Sequence, residues 1–96
     1  MFYTKNPYNL QPLESFEFDT TDSTNKKLTE SDQAFLNWST LSVEERTTYI
    51  LKVIKLLNEQ KLEAAHLITQ EMGKPISQSI SEIEKCILLC LSLIHI

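Results

Sequence analysis

At 96 residues and a formal charge of −4, the chain is one small domain or a piece of a larger one, because independent cores usually take about 100–150 residues. Acidic and basic side chains interleave without forming a basic stripe, which argues against nucleic acid and anionic membrane surfaces as partners. The one membrane-like run, Ile87 to Ile96, is half the length of about 20 residues that a span needs.

The N-terminus carries Lys5, Asn6, Pro7 and Asn9 and lacks the apolar core of a secretory leader. Together with only two cysteines, both in a helical pattern, this predicts a reducing, cytoplasmic setting. Asn6-Pro7-Tyr8-Asn9, with Pro12 close behind, predicts a bend between two extended pieces, its asparagines tolerating positive φ. Leu13 to Asp19 then alternates imperfectly, with Phe16 and Phe18 on one face and Glu17 on the other. That pattern suits an edge strand, and the resulting hairpin needs something to lie on.

Thr20 to Asn25 supplies N-cap candidates, of which Thr21 is the best placed. Leu28, Ser31, Phe35 and Trp38 follow on one helical stripe, and Ser39-Thr40 ends the helix. Ser42-Val43-Glu44-Glu45 is a capping box opening the most strongly patterned helix, in which Ile50, Val53, Ile54 and Leu57 recur at helical steps and Leu51 widens the stripe. Asn58 to Lys61 breaks or kinks it. The next helix carries Leu62, Ala65, Ile68 and Met72 and stops at Gly73, the single glycine, where a left-handed backbone costs least; Pro75 cannot continue it. A last helix begins near Ile76, with Ile76, Ile80, Ile83 and Ile87 forming a buried seam. The fold class is therefore α+β and mostly α: a β-hairpin followed by four helices.

Candidate chemistry is thin. Cys86 and Cys90 lie one helical turn apart, but two ligands fall short of a zinc site, and the closest histidine in sequence, His95, lies in the tail. Buried, inert thiols are expected, since neither cysteine has a base to activate it and Lys85 points to another face than Cys86. His66, beside an apolar stripe, reads as a half-buried packing residue without a carboxylate to orient it. Glu82 and Glu84 are surface charges rather than a catalytic pair, and Gly73-Lys74 lacks the glycine spacing of a phosphate loop. No residue is assigned a catalytic, cofactor-binding or metal role.

Several of these runs occur together: Asn6-Pro7-Tyr8-Asn9, Gln33-Ala34-Phe35 with Trp38, Glu45-Arg46 opening a long helix, Leu67-Ile68-Thr69, Glu71-Met72-Gly73-Lys74-Pro75 and Glu82-Ile83-Glu84-Lys85-Cys86. Their order and distances resemble the start of an aldehyde dehydrogenase, most similar to the succinate-semialdehyde dehydrogenase type. The resemblance covers nearly the whole chain to Cys90. It implies that residues 1–90 are an incomplete N-terminal part of the nucleotide-binding domain, the lead-in to an α/β fold whose Rossmann-like sheet is missing. It implies for the parent an NAD(P)-dependent oxidation of a small-molecule aldehyde to the carboxylic acid, through a thiohemiacetal on a catalytic cysteine, in a homo-oligomer. That cysteine, its glutamate base, the oxyanion-stabilising asparagine and the cofactor-contacting strands belong to later parts of the family's chain. The fragment is accordingly expected to be inactive, to bind neither NAD nor NADP, and to be molten or aggregated by itself. Cys86 and Cys90 match helix positions of the family and not its nucleophile. Phe18 to Glu30 departs from the family in its richness in Thr, Ser and Lys.

Leu91 to Ile96, LSLIHI, departs further. It resembles the in-frame translation of a transposon-end sequencing adapter, and is expected to be a non-native tail. The competing expectation is a small helical interaction module without enzymatic activity, whose exposed isoleucine seam docks a partner helix.

Overall fold

The computed structural model describes residues 1–94. Its elements are strands β1 (Phe2–Lys5) and β2 (Pro12–Phe16) and helices α1 (Thr21–Trp38), α2 (Val43–Glu59), α3 (Lys61–Met72) and α4 (Ile76–Ile94). The hairpin-then-helices order is the one expected.

β1 and β2 pair antiparallel, Phe2 opposite Phe16 and Tyr3 opposite Ser15, with a one-residue irregularity before Lys5 meets Pro12. At that irregularity the Glu14 amide donates to the Thr4 hydroxyl at 3.2 Å. The connecting bend is an asparagine device: Asn6 Oδ1 accepts from the Tyr8 amide at 2.9 Å and Asn9 Oδ1 from the Gln11 amide at 3.0 Å. The left-handed residue, however, is Leu10, at φ 63°, and neither asparagine has a positive φ. Both asparagine side chains are engaged with backbone amides, so the strain falls on their neighbour, at a cost of about 1–2 kcal/mol. The second strand is shorter than Leu13–Asp19, because it ends where pairing with Phe2 ends. Phe18, beyond the strand, still reaches the Phe2 ring at 5.2 Å, as Phe16 does at 5.4 Å.

The N-cap of α1 is Thr20 rather than Thr21. Ser23 closes a capping box with it, the Ser23 amide donating to Thr20 Oγ1 at 3.0 Å and the Thr20 amide to Ser23 Oγ at 2.8 Å. Serine at the third helical position does the work usually given to Glu or Gln, which is why the sequence pattern points one residue late. The Ser42 box of α2 forms as expected, with Glu45 reaching back to the Ser42 amide at 2.9 Å. Gln60, at φ −104°, is both the end of α2 and the start of α3, so the expected break is a one-residue joint.

α4 packs on both α2 and α3. Its seam centres on Ile83, which is 7% exposed, with Ile80 and Ile87 half-buried; Ile76 at its start stays exposed. Against α3 the approach is close: Ala65 of α3 and Ser79 of α4 are both fully buried. The Thr69 and Ser79 hydroxyls share a hydrogen bond of 2.9 Å, which satisfies the buried Ser79 oxygen. The α3 stripe is only partly used: Ala65 is buried, whereas Leu62 and Met72 are exposed. Of α2, Ile50, Ile54 and Leu57 are half-buried, and Leu51 and Val53 remain exposed.

Gly73 takes the left-handed conformation at φ 73°, and its amide donates to the Thr69 carbonyl at 2.9 Å. It is needed a second time, since a Cβ there would lie 3.0 Å from Cγ of Pro7 in the hairpin bend. Sequence-distant turn residues thus meet: the hairpin rests on the end of α3.

The result is a flat body of 48 × 37 × 18 Å. Its radius of gyration is 17.4 Å, against about 12.5 Å for a compact domain of this length. Its accessible surface is 7835 Å², roughly 2,000 Å² more than a folded monomer of this mass exposes.

Candidate functional site

Among the described residues, two of the grooves bear on function. The first, about 660 Å³, lies along the α3–α4 connection and is bordered by Ile68, Lys74, Glu82, Ile83, Lys85 and Cys86. Lys74 Nζ sits 2.7 Å from Glu82 Oε1 across its rim, so the cation beside the single glycine is already paired. Glu84 pairs instead with Lys61 at 3.4 Å. Glu82 and Glu84 therefore serve two separate surface ion pairs, each worth about 0–1 kcal/mol, and do not face one another as an acid and a base.

The two cysteines are reduced, Cys86 exposed and Cys90 half-buried. Both were expected to be buried. Cys86 lies about 60° around α4 from Ile83, on the flank of the seam, whereas Cys90 is nearly in line with Ile83 but two turns further along, where the helix is only half-covered. Cys86 also borders the same groove as Lys85, its neighbour in sequence. His66 is exposed rather than half-buried, because it lies about 100° around α3 from Ala65 and so turns away from α4. Among the described residues no three His, Cys, Asp or Glu side chains come together in a way that could hold a metal ion, and no helix is long and apolar enough to cross a membrane. His95 lies outside the described residues.

The isoleucine seam is filled from within by α2 and α3, so it is not the open surface that a docking module would present. Open apolar surface lies elsewhere. The second groove, about 620 Å³, is formed where α1 runs into α2 and is lined by Ser31, Ala34, Phe35, Trp38, Leu41 and Tyr49. Trp38 and Tyr49 stand as a tilted ring pair, centroids 5.4 Å apart. No residue of α1 is buried. One turn before Tyr49, the Nε of Arg46 is buried without a hydrogen-bond partner among the described residues. Sequence pattern alone could place Phe35 and Trp38 on a stripe; it could not show that the stripe would stay uncovered.

Comparison with known proteins accounts for this half-built architecture. A profile of the aldehyde dehydrogenase family matches residues 1–93. A probable succinate-semialdehyde dehydrogenase [NADP(+)] of Synechocystis is 33% identical over 87 residues, 91% of this chain and 19% of that protein. The mitochondrial succinate-semialdehyde dehydrogenase of Arabidopsis thaliana is 38% identical over 63 residues, 66% of this chain and 12% of its own length. A succinate-semialdehyde dehydrogenase [NADP(+)] of Deinococcus radiodurans is 32% identical over 82 residues, covering 85% of this chain and 17% of that protein. The chain thus spans less than a fifth of the length of these curated relatives. It belongs to the aldehyde dehydrogenase family, of which it carries an N-terminal piece.

Proposed function

We propose that this chain is the lead-in of an NAD(P)-dependent oxidoreductase that oxidises succinate semialdehyde to succinate, and that residues 1–90 serve to coat a nucleotide-holding sheet supplied by later polypeptide. The observation that carries the reading is the family match along residues 1–93, together with relatives named as succinate-semialdehyde dehydrogenases. NADP(+) stands in the names of two of them. In the parent the cofactor would accept the hydride from the aldehyde carbon.

The 96-residue chain does not itself hold that cofactor in this reading. Lys74 is the only cation adjoining a glycine, and its ammonium is held by Glu82 at 2.7 Å. The chain's two strands form an antiparallel hairpin, whereas dinucleotide cradles stand at the carboxyl ends of parallel strands. No catalytic step is assigned to any of its side chains. We read residues 91–96 as a tail foreign to the parent, the family match running on through its first three residues, and the parent as a cytoplasmic homo-oligomer.

The test is to read the uninterrupted locus past codon 90, express its product and follow NAD+ and NADP+ reduction with succinate semialdehyde against other aldehydes. Turnover of succinate semialdehyde by that product, and none by the 96-residue chain, is the expected result. A locus whose product turns over another aldehyde in preference, or none, overturns the assignment.

A further inference from the structure

We draw no further inference here: the strongest candidate, the side-chain pair Cys86 and Cys90 one turn apart on α4, offers two free thiols with no third ligand beside them among the described residues and nothing there that points to an ion or a ligand.

Discussion

α4 and α1 are nearly equal in length, 19 and 18 residues, and each carries apolar side chains at three- and four-residue steps. Yet α4 places Ile83 and Ser79 in the interior, whereas α1 buries nothing. The difference lies in what their neighbours offer. α4 follows α3 through a tight glycine-proline turn and returns along α2, so its stripe finds two partners within the chain. α1 stands between a two-stranded hairpin and a short bend, and its stripe finds one ring, Tyr49. Periodicity records that a face is meant to be covered; it does not record by what.

The largest effect that separates the two helices comes from truncating their apolar stripes. Ile83→Ala should cost about 2–4 kcal/mol, read as lost helicity and a lowered urea midpoint of the chain. Leu28→Ala, at a position 64% exposed, should change the stability of the chain by less than about 0.5 kcal/mol. If the two substitutions are equal in the free chain, the contrast between α4 and α1 fails.

The turn that lets α4 fold back should be next in sensitivity. Gly73→Ala has to adopt φ 73° and place its Cβ against Pro7, at a cost of about 1–2 kcal/mol for the backbone alone. Faster amide exchange in β1 and β2 would show the hairpin lifting from α3. Adding Pro7→Ala to Gly73→Ala should relieve the contact and leave the backbone part of the loss. Full recovery in the double variant would mean that the left-handed conformation carries no cost.

Caps should matter more where packing is weaker. Thr20→Ala and Ser42→Ala each remove a capping box worth about 1 kcal/mol. In the free chain Thr20→Ala should unwind the first turns of α1, while α2, held by α4, should keep its amide protection against Ser42→Ala. The smallest effect is one of pH. Asp19 lies just before α1, and the hydrogen bond from Lys27, then that from Ser23, then the Lys27 charge hold its carboxyl below the usual range. A carboxyl lowered in the folded state contributes stability that is present above its unfolded pKa and is lost as pH falls through the lowered folded value. Titration to acid should therefore loosen the first turn of α1, and Asp19→Asn should abolish that response.

Much of the architecture was legible in the residues, because capping boxes, glycine stops and proline breaks are local. Ser42 with Glu45, the Gln60 joint and the left-handed Gly73 needed no tertiary information. The misses were of another kind. Cys86, His66 and Met72 were placed by stripe membership, but burial depends on which part of a stripe a neighbouring helix covers, and α3 is covered only around Ala65. Leu10 carries the positive φ while the two asparagines before it cap backbone amides, an arrangement invisible in composition. The groove at Trp38 and the unpartnered Nε of Arg46 depend on how α1 and α2 meet, which no local pattern announces.

The meeting of Pro7 with Gly73 has a consequence for biosynthesis. On the ribosome the hairpin emerges before α3, and its resting place at Gly73 is made 66 residues after Pro7, an interval of about 3–13 s at ordinary elongation rates. Throughout that wait Phe2, Phe16 and Phe18 have only one another for shelter, so a segment made before α3 is secured only after it, and is a natural client for a nascent-chain chaperone.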